Sequence, residues 1–236
     1  MKTALVSGAN RGIGLEWCRQ LAGLGYTVIL CARDESKALQ AMKSLRSEGL
    51  EVLSHKLDVR DEKQITELSA WFSARFGHLD LLVNNAGINP LKPALSVLQN
   101  LNEAELLDVY ATNSIAPIMM VKHFRPVLTK ARSPVVINIS SLMGSVSNLG
   151  SGAQYAYSAS KNLLNFLNKT MAYDLYSDKI ISVNLNPGWV RTDMGGKSAP
   201  LSPAESVESS IKKVLHKLSL SDTGKFFNYD GTPCPW

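Results

Sequence analysis

The segment "YAYSASKNLL" (155–164) holds two residues that could do chemistry together. Tyr157 and Lys161 stand four apart, and four residues advance a helix slightly more than one turn, so both side chains share a face. A free phenol has a pKa of about 10. An ammonium ~5 Å away, at an effective dielectric of ~20, is worth roughly 3 kcal/mol, which is about two pKa units. The expectation is a phenol lowered toward neutrality, able to protonate a carbonyl oxygen during reduction and to take the proton back in reverse. An amphipathic core helix with a surface lysine has the same spacing, so the pair needs a setting. Tyr155 has Ala159 at its fourth position and is expected to line a pocket or pack.

That setting is suggested by "SGANRGIG" (7–14), which follows an apolar run and opens a helical pattern. Gly8 suits a tight turn, Gly12 lets backbone approach a pyrophosphate, and Gly14 permits close helix packing, with Ile13 in the same cradle. The free N–H groups and positive dipole end of the following helix complete a phosphate site.

The elements that must position these residues alternate. Strands are expected at 3–7, 27–32, 51–57, 79–85, 134–140 and 180–186, with a short last one at 225–229. They are apolar nearly throughout, as strands covered on both faces must be. Helical patterns lie at 13–24, 35–48, 61–76, 102–129 with a break near Pro117, 157–177 and 203–218. Such alternation predicts an α/β fold of the doubly wound kind, a mostly or wholly parallel sheet of about seven strands with helices on both faces. No repeat, linker or composition break divides residues 1–236, so one domain carries both cofactor and catalytic sites. Ligands in such sheets sit beyond the C-terminal strand ends.

Composition narrows the classes. The chain has 236 residues, 45% of them apolar, and no apolar run near the ~20 residues that cross a bilayer. The start "MKTALVSGAN" reads as a strand and turn rather than a signal peptide. The net charge of +5 is scattered, which argues against nucleic acid and for a small anionic ligand. Cys18, Cys31 and Cys234 lack paired spacing and predict reduced thiols in a cytoplasmic protein, with no metal site.

The glycine spacing is G-x-x-x-G-x-G, and further segments follow in order: "NNAG" (84–87), "ATNS" with Asn113, "INISS" (137–141), "YSASK" (157–161) and "PGWVRT" (187–192). On these motifs, spread over most of the domain, the chain resembles the short-chain dehydrogenase/reductases. The resemblance implies a Rossmann fold and hydride transfer with a nicotinamide cofactor. NAD-specific members carry an acid at the end of the second strand; here that position is Ala32, followed by Arg33. A guanidinium there, with Arg11 in the glycine turn, resembles the NADPH-preferring pattern, since both can hold a 2′-phosphate. Asp34 reads as a helix cap. Asp58 resembles the aspartate that meets the adenine amino group, with Val59 against the ring, and an N-cap role for the next helix is the rival reading.

The resemblance assigns Tyr157 as acid/base, assisted by Lys161, with Ser141 on the substrate oxygen in preference to Ser140. Asn113 corresponds to the residue that holds a water in a proton relay to Lys161; tying backbone together is a second role, compatible with the first. Asn85, Ala86 and Gly87 would approach the ribose, while Asn84 braces strands. Pro187 and Gly188 end a strand, and Val190 and Thr192 would grip the carboxamide. The span from Ser141 to Tyr157 is longer than in many relatives, with the extra residues in "SNLGSGAQ" (147–154). A lid is expected over about 193–203, hinged at Gly195 and Gly196. Leu142, Met143, Tyr155, Trp189 and Met194 could form an apolar substrate pocket or belong to the core. The tail "FFNYDGTPCPW" and "PGWVRTDMGG" look like the sniffer and C-factor carbonyl reductases, implying reduction of ketones and aldehydes by a homodimer or homotetramer. A 3-oxoacyl-thioester reductase shares every catalytic residue named, and a C-factor-like signalling protein that senses the dinucleotide is the alternative outside enzymes.

Overall fold

The computed structural model describes residues 2–90, 98–150 and 154–236. Seven strands, β1 (Thr3–Val6), β2 (Thr27–Ala32), β3 (Val52–Lys56), β4 (Leu81–Asn84), β5 (Val135–Ile139), β6 (Ile181–Asn186) and β7 (Phe226–Asn228), form one sheet in the order β3-β2-β1-β4-β5-β6-β7. All neighbouring pairs run parallel. The order reverses between β1 and β4, which places a crevice at their C-terminal ends.

Among the described residues seven α-helices cover the sheet: α1 (Gly12–Gly23), α2 (Glu35–Ser47), α3 (Glu62–Phe76), α4 (Glu103–Tyr110), α5 (Ala116–Leu128), α6 (Tyr155–Tyr176) and α7 (Pro203–Lys213). Alternate strand residues feed two apolar layers. Val6, Val83 and Val183 pack with Trp17 of α1, Leu45 of α2 and Ile211 of α7. Leu5, Leu82 and Val136 pack with Phe72 of α3, Phe124 of α5 and Leu175 of α6. Local chemistry starts several helices: Asp34 accepts the Lys37 N–H at 3.2 Å, and Asp61 caps α3. Ser202 and Glu205 form a reciprocal capping box at α7.

Two boundaries differ from expectation. The helical run 102–129 is interrupted at 111–115 by a single wide π turn, and Pro117 sits in the first turn of α5 instead of at the break. Proline lacks an N–H, so the carbonyl of Asn113, four residues earlier, cannot receive its usual α-helical bond. The last helix stops at Lys213, where short 3₁₀ turns at 215–217 and 220–222 replace its expected final turn. Of the long stretch before Tyr157, residues 151–153 lie outside the described residues. Among the described residues no helix is long and apolar enough to cross a membrane. Cys18, Cys31 and Cys234 are free and buried.

Candidate active site

The crevice is built from the turns that follow the strands. After β1, Gly8 and Gly12 both adopt left-handed backbone (φ +61° and +58°). A side chain at Gly14 would stand 2.4 Å from the Asn85 amide nitrogen and 2.7 Å from the Gly8 carbonyl, so only glycine admits this close approach of helix to turn. Ile13 follows Gly12 in the first turn of α1, whose N-terminus is capped by no side chain and keeps its N–H groups available. Ser7 was not anticipated. Its buried hydroxyl accepts the Asn85 and Ala86 N–H groups, each at 3.1 Å, while Asn85 Nδ2 donates to the Ser7 and Gly8 carbonyls. The turns after β1 and β4 are thereby locked together. Its only sequence signal was its place at the head of the glycine motif.

Arg33 stands exposed just past β2 with no ion-pair partner among the described residues. Arg11 is exposed too, but its guanidinium pairs with Asp193 across the crevice. Asp58 does not cap α3, because Asp61 does; the Asp58 carboxylate instead accepts the Arg60 N–H at 3.0 Å. That removes the competing role considered for it. Val59 borders a narrow crevice with Ser7, Ala86 and Thr112.

Beyond β5 the two serines part. Ser140 is buried and donates to Asn165 Oδ1 at 2.6 Å, whereas Ser141 faces the crevice and heads a 3₁₀ turn over Leu142–Gly144. Gly144 also escaped notice. A side chain there would lie 2.7 Å from the Lys161 backbone carbon, so its absence seats the Ser141 turn directly on α6.

On α6 the Lys161 ammonium lies 5.7 Å from the centre of the Tyr157 ring. It donates to the Ile139 carbonyl at 2.7 Å, and Lys161 is only 4% exposed. The space beside Gly87 is bounded by Lys161 Nζ and Asn113 Oδ1. The Asn113 side chain ties backbone together: Oδ1 accepts the Ile88 N–H, and Nδ2 donates to the Ile88 carbonyl and to Ser160 Oγ. The second lone pair of Oδ1, which borders the space beside Gly87 and Lys161, leaves the water-holding role open as well. Asn84 donates to Asn138 Oδ1 at 2.8 Å and braces β4 against β5.

The phenol is not acidified as expected; its shift has the opposite sign. Burial pushes Tyr157 up to about 12, partly opposed by a hydrogen bond with Ser141, and burial pulls Lys161 down to about 8. Spacing along the helix gave the correct neighbours but could not give desolvation, which here disfavours both charged forms. Near pH 7 the outcome is a neutral phenol beside an ammonium, with the phenol a weaker acid than a solvated one.

After β6, Pro187 is buried and Gly188 (φ +80°) packs on Leu201 and Tyr229. Val190 pairs with Leu201, and Arg191 Nη1 donates to the Ala199 and Pro200 carbonyls, so the segment expected as a lid is stapled at its base. Thr192 Oγ1 accepts the Gly195 N–H at 3.1 Å. A side chain at Gly195 would meet the Val190 carbonyl at 2.0 Å, so this glycine serves packing and not hinge freedom. Of the five pocket candidates none is core: Leu142 is half-buried, and Met143, Tyr155, Trp189 and Met194 are exposed.

Comparison with known proteins agrees with this geometry. The family model described as short chain dehydrogenase matches residues 2–201. The NADPH-bound carbonyl reductase from chicken fatty liver superposes with a TM-score of 0.92 at 34% identity, over 100% of this chain and 99% of that one. The carbonyl reductase Sniffer of D. melanogaster gives 0.92 and 34%, over 100% of both. The (+)-neomenthol dehydrogenase of Arabidopsis thaliana is 32% identical over 95% of each chain. The chain belongs to the short-chain dehydrogenase family.

Proposed function

We propose that the protein is an NADPH-dependent carbonyl reductase that converts ketones and aldehydes to alcohols. The observation that carries this reading is the neutral Tyr157 phenol, hydrogen-bonded to Ser141 and beside the buried Lys161 ammonium. The chain's residues fit the cofactor: a glycine cradle that side chains would fill, an uncapped helix N-terminus, and an exposed Arg33 past the strand that would carry the adenosine ribose. NADPH, when bound, supplies the hydride. Gly8, Gly12, Ile13 and Gly14 would hold its diphosphate; Arg33, with Arg11 once released from Asp193, its 2′-phosphate. Asp58 and Val59 would take the adenine; Asn85, Ala86, Gly87 and Lys161 the ribose side; Pro187, Gly188, Val190 and Thr192 the carboxamide.

In the chemical step Ser141 orients the substrate oxygen by donating its hydroxyl proton, and Tyr157 gives that oxygen a proton. Lys161 stabilises the phenolate that remains, and a water held at the Asn113 carbonyl returns a proton through Lys161. Leu142, Met143, Tyr155, Trp189 and Met194 form an apolar rim for the substrate. Residues 193–203 act as a strap over the site that moves about its stapled base. Exposed Phe166 and Tyr173 on α6 support a homo-oligomer.

The test is Tyr157→Phe. NADPH binding should stay within about twofold while turnover falls by roughly three orders of magnitude. A variant with the unaltered rate overturns the assignment.

A further inference from the structure

Ser141 and the Pro187–Gly188 turn lie at the ends of adjacent strands, and one buried side chain touches the backbone of both loops. Asn186, the last residue of β6, is 7% exposed. Its Oδ1 accepts the Leu142 N–H at 3.2 Å and the Gly188 N–H at 3.3 Å. Its Nδ2 donates to Asn228 Oδ1 in β7 at 2.8 Å.

The direction of this amide is fixed from the far end. The Asp230 carboxylate can only accept, and it takes the Thr232 hydroxyl proton at 2.6 Å. Thr232 Oγ1 must then accept, and it receives Asn228 Nδ2 at 3.0 Å. Asn228 therefore presents its oxygen to Asn186, where the Cys234 thiol also donates at 2.8 Å. Asn186 in turn must face that oxygen with its nitrogen and the two backbone N–H groups with its own oxygen. A flipped amide at any point sets acceptor against acceptor.

The other holds on the Ser141 loop act farther along it. Asn162 Nδ2 donates to the Gly144 carbonyl at 2.9 Å, and the Trp236 carbonyl accepts the Ser147 N–H at 2.8 Å. Asn186 alone, among the described hydrogen bonds, joins the residue after Ser141 to the turn after β6.

We propose that Asn186 is a positioning residue, oriented by the Asp230–Thr232–Asn228 relay, that sets the spacing between the substrate-oxygen donor Ser141 and the carboxamide-binding turn. This rests on the roles given to Ser141 and to that turn in the proposed function. A small error in that spacing changes the approach of the reacting carbon far more than it changes binding.

The experiment uses the full chain, NADPH and an aromatic ketone that the unaltered protein reduces. Asn186→Leu, which keeps volume but removes the acceptor, should lower kcat about 30-fold, with the KM for NADPH within about twofold. Asn186→Asp keeps an oxygen for both N–H groups but sets its other oxygen against Asn228 Oδ1, so it should recover kcat only in part, to about tenfold below the unaltered protein. Ser141→Ala and Tyr157→Phe are run beside them. If these two lose activity while Asn186→Leu keeps full kcat, the positioning role is overturned and the carbonyl reductase reading stands. If Asn186→Leu loses kcat and NADPH affinity together, the side chain matters only for packing and the proposal also falls. If Ser141→Ala and Tyr157→Phe keep the full rate, it is the underlying reading that fails.

Discussion

The two sides of the crevice are built differently. On the cofactor side, backbone packs on backbone: a side chain at Gly8 would lie 2.7 Å from Ala86 Cα, and one at Gly14 would overlap Asn85. Ser7 and Asn85 then tie the loops together with hydrogen bonds that are mostly hidden from solvent. On the side proposed for substrate, Met143, Tyr155, Trp189 and Met194 reach outward, and Trp189 is 56% exposed. The first surface has little freedom to vary without refolding. The second can change composition while the strands beneath it stay in place, which is how one fold can host different functions.

This contrast can be broken by substitution. Gly14→Ala should affect stability and cofactor together: overpacking against Gly8 O and Asn85 costs about 2 kcal/mol, and NADPH affinity should fall at least about tenfold as the cradle shifts. Denaturant unfolding and NADPH fluorescence titration measure both; an unchanged midpoint would show that the cofactor side is looser than its packing implies. Arg33→Ala should raise the KM for NADPH by roughly tenfold or more through loss of a charge-assisted phosphate contact. The KM for NADH should hardly move, and equal effects on both would remove Arg33 from the phosphate site.

The acid/base pair sharpens the comparison through pH. Lys161 in the native chain loses its proton near pH 8, while an unfolded lysine keeps it until about 10.4. The unfolded state therefore binds more protons between those values, and stability gains with pH in that window. Reduction loses the ammonium over the same range, so kcat/KM should fall about tenfold per unit above pH 8. Tyr157 works against stability only from pH ~10, its unfolded value, up to its native value of about 12. Rate and stability moving in the same direction between pH 8 and 10 would contradict the Lys161 assignment. The smallest effect belongs to the outer rim. Trp189→Ala should leave stability within about 0.5 kcal/mol and change the KM of a bulky aromatic ketone severalfold, as loss of apolar contact does. A large fall in the unfolding midpoint would mean that Trp189, whose indole donates to the Gly195 carbonyl at 2.8 Å, holds the loop.

What could be read from the chain follows the range of each interaction. The strand–turn–helix around the glycines, the strand alternation and the shared face of Tyr157 and Lys161 are local, since each depends on residues a few positions apart. They determined the fold class, the glycine turn and the pairing of Tyr157 with Lys161. The burial of Ser140 against Asn165 and the release of Asp58 from capping needed the structure. So did the bonds of the Asn113 side chain to Ile88 and the tight packing at Gly144 and Gly195. Those depend on contacts between residues far apart in sequence, such as Ser140 with Asn165 and Asn113 with Ile88. The direction of the phenol's shift belongs with them. Charge proximity can be counted along a helix, but the loss of water around Tyr157 and Lys161 exists only once the sheet, α6 and the Ser141 turn have closed around them.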